Sequence, residues 1–225
     1  MACGFFAQAQ FTLNVSAPSG VYGMRASDIQ NGMAVHWMGH FVMEQNLLRQ
    51  LVKDAKAGDA ASFERLIILH DRLVLRIAQR LLLNREDAKD AAQEVFVRLH
   101  RMLGCFNEDK ELGPWLYRMT VNICRDIRRG SKRTVPLEPA HDSMDISLDP
   151  EASAAISQQY RMVLTALGQL TPREREVIVL RDLEGRSTGE VAGILGSSEA
   201  TVRSQLSTGR VKIRNYIETR LRKQT

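Results

Sequence analysis

The residues here whose types and spacing bear on chemistry are cations on helical faces, not nucleophiles or metal ligands. In "PWLYRMTVNICRDIRRGSKR", Arg118, Asn122, Arg125 and Arg129 recur at i, i+4, i+7 and i+11 on one face. From Leu112 to Arg133 there are six basic residues and one acid, a net of +5. A second basic region surrounds "EVAGILGSSEATVRSQL", two short apolar-patterned runs hinged on Gly196, Ser197 and Ser198. That spacing is helix-turn-helix geometry, and it leaves Thr201, Arg203, Ser204 and Gln205 near the start of the second helix, where groove-reading side chains sit. From Glu199 to Thr225 seven basic residues outweigh Glu199 and Glu218. With a net charge of +5 and a pI near 9.3, the chain has the electrostatics of a protein with a polyanionic partner.

Other chemistries lack their residues. His36 and His40 in "HWMGH" have ligand spacing on a helix, but the glutamate of HExxH and a third ligand are missing. Cys3, Cys105 and Cys124 form no CxxC pair and are odd in number, so neither a disulfide framework nor a zinc site is expected, and a reducing cytoplasmic setting fits. No apolar run reaches the roughly 18 residues of a membrane span. No nucleophile triad, carboxylate cluster or phosphate-binding glycine loop stands out, so no enzyme activity, metal or cofactor is expected.

The elements that must carry these faces read as helical throughout. Leu47, Leu48, Leu51, Val52 and Ala55 follow the helical period until Gly58 and Asp59 break and recap the chain, and a second run ends near Leu83. Asn84 caps the next helix, with Asp87 at N3. Ala88, Ala91, Ala92, Val95 and Leu99 form its buried stripe; Asp87, Asp90, Glu94, Arg98 and Arg101 form a charged one. Pro114 is placed at N1 of the arginine-bearing helix, whose apolar face is Leu116, Met119, Ile123 and Ile127. Further on, Thr171, Pro172 and Glu174 supply N-cap, N1 and N3 of a helix closed by Gly185. Ser187 and Glu190 repeat the capping box before Gly196, and Ser198 caps the last helix.

Composition divides the chain. Residues 1–43 carry only Arg25 and Asp28 as charged side chains and read as an accessory, disordered extension, with Met43 an alternative start. Residues 44–133 form one helical domain and 156–225 another. Between them, residues 134–155 hold three prolines and five acids with no Lys or Arg, which predicts an extended linker repelled by phosphates. The expected fold class is therefore all-α, two small helical domains joined by a flexible acidic linker.

Taken in register, "DAKDAAQEVFVRLHRML", "PWLYRMTVNICRDIRRGSKR", the acidic linker and "LTPREREVIVLRDLEGRSTGEVAGILGSSEATVRSQL" resemble a bacterial RNA polymerase sigma factor of the extracytoplasmic-function type. The resemblance runs from Glu44 to the C-terminus. It implies a subunit that binds core RNA polymerase, recognises −35 and −10 promoter elements and promotes DNA melting, leaving catalysis to the polymerase. By that resemblance Asp87, Asp90, Gln93, Glu94 and Arg98 face the polymerase. Phe106, Asn107 and Lys110 lie on the loop that captures the −10 strand, Asn122 supplies a donor, and Arg118, Arg125 and Arg129 clamp phosphates. Trp115 is assigned to the core rather than to base stacking. Ser198, Thr201, Arg203, Ser204, Gln205 and Arg210 engage the −35 duplex. Many relatives are held by an anti-sigma protein, often membrane-bound. Here the chain departs from the common G-T-V-x-S-R pattern at Ala200 and Gln205, which points to a −35 sequence of its own, because glutamine pairs with adenine. Two other classes share part of this pattern. A response-regulator activator shares the "LTPREREVIVL" opening but needs an alternating-strand receiver domain, and a nuclease needs a metal site.

Overall fold

The computed structural model describes residues 46–108, 110–131 and 160–222, and among these there is no strand. The anticipated extension, the linker and the His36–His40 pair lie outside the described residues.

The first unit begins with α1 (46–56), which the turn at Gly58 (φ +97) ends. Asp59 then accepts hydrogen bonds from the Ala61 and Ser62 amides and starts α2 (Ala60–Leu82). The chain reverses at Leu83, a left-handed non-glycine residue (φ 59), and restarts at once because Asn84 accepts from the Glu86 and Asp87 amides to cap α3 (Arg85–Met102). Ala88, Ala91 and Ala92 are buried, and their small side chains let α3 lie close on α2, where Leu66, Val74, Ile77 and Leu81 form the opposing surface. A 3-10 turn (Leu103–Cys105) leads towards α4 (Leu112–Ser131).

In α4 the first turn begins two residues ahead of expectation, so Pro114 falls at N3 and not N1. Proline is tolerated there because first-turn amides have no intrahelical acceptor. The buried surface of α4 is also wider than one amphipathic face: Tyr117, Thr120, Val121 and Cys124 join Leu116, Met119 and Ile123. The reason is tertiary. α2 and α3 cover one side, and α7 of the second unit packs on another.

The second unit comprises α5 (160–168), α6 (Pro172–Ile178), α7 (Thr188–Leu195) and α8 (Glu199–Arg222). Thr171 and Glu174 form the full capping box of α6. Beyond Ile178 the helix loosens into a π turn over Val179–Leu183 and stops at Gly185 (φ +69). Gly209 of α8 is buried against α6: a Cβ there would lie 3.0 Å from Ile178 Cγ1.

The two units share one continuous apolar cluster. Arg175 crosses between them, donating to the carbonyls of Leu81 (3.0 Å), Leu167 (3.0 Å) and Leu170 (3.2 Å). Burial draws this guanidinium down to about 10.

Candidate nucleic-acid interface

The α7–α8 pair is built by local sequence chemistry. Ser187 Oγ accepts from the Glu190 amide (3.2 Å) while Glu190 Oε2 accepts from the Ser187 amide (2.7 Å), which fixes where α7 starts. Gly196, at φ +63, closes it, and Ser198 Oγ accepts from the Thr201 amide (3.2 Å) to open α8. Val191, Ile194 and Leu195 meet Val202 and Leu206 in the core, as their spacing predicts, and this sets the crossing of the two helices.

That packing leaves Ser198, Thr201, Arg203 and Ser204 exposed and Gln205 half-buried. Arg203 reaches back one turn to Glu199, Nη1 to Oε2 3.0 Å, in an exposed pair that screening and side-chain entropy make weak. Arg210 is differently placed. Its fork donates to Asp182, Nη2 to Oδ1 at 2.7 Å and Nε to Oδ2 at 3.0 Å, and so ties α8 to the π turn. This pairing holds the guanidinium above its ordinary range. A phosphate would have to take the fork from that carboxylate.

The second cationic surface is α4. Arg118, Asn122 and Arg129 are exposed along it, and Arg129 pairs loosely with Asp126 at 3.6 Å. Arg125 lies on the same stripe but is turned into the contact between the units. Its Nε and Nη2 donate to Glu176 Oε1 (2.9 Å) and Oε2 (2.7 Å) in a bidentate fork, and Nη1 approaches Asn122 Oδ1 at 3.4 Å.

The loop before α4 departs from expectation at one residue. Phe106, assigned to −10 strand capture, is buried and stacks on Trp115 with ring centroids 4.9 Å apart. Its carbonyl accepts from Lys56 Nζ (3.0 Å), which also pairs with Glu108 (2.8 Å). A ring that is buried and stacked on Trp115 offers no open face to a base in this arrangement, so here Phe106 supports the loop's shape. Asn107 and Lys110 are exposed around it. Trp115, half-buried and stacked on Phe106, packs with the core as expected.

On α3 the proposed polymerase face is graded. Asp90 and Gln93 are exposed, while Asp87, Glu94 and Arg98 are half-buried, with Arg98 donating to Glu94 at 3.2 Å. Beside them Gln93 borders an open groove of about 380 Å³ lined with Phe63, Ile67, Phe96, Val97 and His100.

Sequence reasoning missed the acids that matter most. Glu176 and Glu184 stand out in no sequence pattern, yet their side chains are 2% and 3% exposed. Glu184 accepts from Arg76 (3.1 and 2.9 Å), Arg80 (2.6 Å) and the Tyr117 hydroxyl (3.4 Å). Burial, with Glu184 adding to it, pushes the Tyr117 hydroxyl up to about 12. Arg186 stacks over the Tyr117 ring at 5.0 Å. The one available signal was indirect: an arginine-rich helix packed inside a protein needs buried counter-charges. Cys124, also buried, has its thiol pushed up to about 12 by burial, which makes it a packing residue and not a nucleophile. Among the described residues no group of His, Cys, Asp and Glu is placed to hold a metal ion, and no helix is long and apolar enough to cross a membrane.

Comparison with known proteins places both surfaces in one family pattern. Sigma-70 region 2 matches residues 66–134, and Sigma-70, region 4 matches residues 160–213. The chain is 33% identical over 159 residues to the ECF RNA polymerase sigma factor SigM of Mycobacterium tuberculosis, covering 70% of this chain and 78% of SigM. It is 35% identical over 171 residues to the ECF RNA polymerase sigma factor SigE of Mycolicibacterium smegmatis, covering 74% of this chain and 66% of SigE. Among solved structures, CnrH in complex with the cytosolic domain of CnrY aligns with a TM-score of 0.59 at 25% identity, over 77% of this chain and 98% of that one. RpoE of Bartonella quintana, in complex with the anti-sigma factor NepR, shares the fold: TM-score 0.58 at 22% identity, over 69% of this chain and 96% of that one.

Proposed function

The chain belongs to the sigma-70 family of RNA polymerase sigma factors, of the extracytoplasmic-function type, and on that premise we propose that α8 is its −35 reader, α4 its −10 melting helix and α3 its polymerase-docking face. It is a transcription initiation factor that binds core RNA polymerase, recognises the two promoter elements and promotes melting. The observation that carries the residue assignment is the pairing of two exposed cationic surfaces, on α4 and α8, within the two matched regions.

At −35, the N-terminal turn of α8 enters the major groove. Arg203 donates to guanine or phosphate, Gln205 to and from adenine, and Ser198, Thr201 and Ser204 offer short hydroxyls to backbone or base edges. At −10, Arg118 and Arg129 hold strand phosphates, Asn122 donates to an unstacked base, and Asn107 and Lys110 edge the loop beside it. Separation of the strands is driven by binding the single strand better than the duplex, so the protein supplies no bond chemistry of its own. Residues 134–155 connect the two grips as an acidic tether, and residues 1–43 stand outside this machinery. The setting is the cytoplasm, where polymerase and promoter meet. The complexes formed by CnrH and by RpoE support an anti-sigma protein as a further partner. The response-regulator reading is not favoured, since region 2 occupies the position its receiver domain would need.

The test is reconstituted transcription. Core polymerase with the full chain should initiate at a cognate promoter, and Arg118→Ala should lower the open-complex fraction with little change in polymerase affinity. Failure to initiate on every genomic fragment tried would overturn the function; unimpaired melting by Arg118→Ala would overturn the −10 assignment.

A further inference from the structure

We propose that Asp182 and Arg210 are positioning residues for −35 reading: the bridge between them sets the direction of α8, and Arg210 itself makes no DNA contact. The proposal rests on the reading of α8 as the −35 helix and separates the residues that aim the helix from those that touch DNA.

By sequence the two roles are indistinguishable. Arg210 stands seven residues after Arg203, which is two helical turns and about 10 Å along the same face of α8. The fold separates them. Arg203 is 63% exposed and reaches only to Glu199 of its own helix. Arg210 instead commits Nε and Nη2 to Asp182, at 3.0 and 2.7 Å, across a separation of 28 residues.

In this bridge the acid is the fixed partner. The Asp182 side chain is 27% exposed against 54% for Arg210. It sits in the π turn, closed by hydrogen bonds from the Glu184 amide to the Val179 carbonyl (2.9 Å) and from the Arg186 amide to the Leu180 carbonyl (3.0 Å). A second bridge also starts from a fixed acid. Glu174 accepts from the Thr171 amide (2.9 Å) in the capping box of α6, and both its oxygens accept from Lys212 Nζ at 2.8 Å. Glu174, Ile178 and Asp182 thus recur four residues apart and meet α8 at Lys212, Gly209 and Arg210.

These contacts do different work. Apolar packing at Gly209 holds the helices close but is non-directional, and without a side chain there is no ridge to stop α8 rolling about its axis. Lys212 is a point charge with rotatable donors, so it tolerates such a roll. A planar fork on a carboxylate is directional and resists it. Rolling by one residue's step, about 100°, would carry Arg203 out of the groove.

The sign of one substitution separates aiming from contact. Electrostatics alone predicts that Asp182→Asn tightens DNA binding, by removing a negative charge and releasing Arg210 to phosphate; positioning predicts loss. Core polymerase with the full chain is titrated by fluorescence anisotropy at several salt concentrations. The probes are the −35 duplex of a promoter on which it initiates and a scrambled duplex of equal length. Asp182→Asn and Arg210→Gln should each weaken the −35 duplex about three- to fivefold, since apparent affinity scales with the fraction of helices in the reading direction and an exposed fork is worth about that factor. The double variant should lose no more than either single one, because the same bridge is removed each time. Binding to the scrambled duplex should not weaken, a division between duplexes that a loss of folding alone would not produce, and the salt slope of Arg210→Gln should stay native. Tighter binding by Asp182→Asn, or a slope lower by about 1 in Arg210→Gln, makes Arg210 a phosphate contact and overturns the proposal. Weakened binding by Arg203→Ala beside native binding by both pair variants also overturns it while the −35 reading stands; native binding by all three overturns both.

Discussion

Gly209 is the position where two large effects oppose each other and the structure decides between them. Alanine in place of glycine inside a helix favours folding by about 0.8–1 kcal/mol. Against that, a Cβ at Gly209 would lie 3.0 Å from Ile178 Cγ1 and 3.3 Å from Ile178 Cδ1. Ile178 is itself 2% exposed and branched at Cβ, so Cγ1 cannot swing aside. Forcing one extra methyl into such a filled site costs about 1–3 kcal/mol. Gly209→Ala should therefore lose about 0–2 kcal/mol, the difference of these two terms. Gly193 in α7 is the control, since it is exposed and nothing stands within 4 Å of its Cβ position. Gly193→Ala should gain about 0.5–1 kcal/mol. Urea unfolding of the two full-length variants, followed by far-ultraviolet circular dichroism, measures both. Because α8 rests on α6 at Gly209, the same change should tilt the proposed reading helix and weaken −35 binding. Equal stabilisation by both substitutions would refute the claim that close α6–α8 approach requires glycine.

Arg203→Ala should weaken holoenzyme binding to a −35 duplex by about 1–3 kcal/mol if the residue reads a base, while unfolding shifts by no more than about 0.5 kcal/mol, since only an exposed pair to Glu199 is lost; unchanged affinity in a fluorescence-anisotropy titration places it outside the interface. Asn84→Ala removes both amide acceptors at the start of α3 and should cost about 1 kcal/mol in denaturant unfolding; no loss would mean the cap is replaced by water. Glu174 gives a pH dependence. Burial pushes its carboxyl up, but Lys212 Nζ at 2.8 Å and the Thr171 amide and hydroxyl outweigh burial and hold it below the ordinary value. A lowered folded value means stability fully present above about 4.3 and lost as the pH falls through and below it. Glu174→Gln should flatten the acid limb of a stability-against-pH curve there, and an unchanged limb would assign it to other carboxylates.

Local chemistry made most elements legible. Asp59, Asn84, Thr171, Ser187 and Ser198 each start a helix where their side chains predict, because a cap bonds amides two or three residues away. The apolar stripe of α3 is buried at every expected position for the same reason, since helical period is a property of contiguous sequence. The misplacement of Pro114 and the π turn at Val179–Leu183 mark the limit: both sit at helix ends, where neighbouring units choose between nearly equal hydrogen-bond patterns.

The sequence by itself determined which residues are cationic, which helices carry them and where the helix-turn-helix bends. Only the tertiary structure decided which of those cations are already engaged. Arg125 is held by a carboxylate 51 residues away and Arg76 by one 108 residues away, while Phe106 is buried with its ring stacked on Trp115. No periodicity encodes such partners. Helix caps and amphipathic faces are satisfied within a few residues, but a charge is satisfied by whatever the fold brings within about 3 Å, and that depends on the packing of the whole chain.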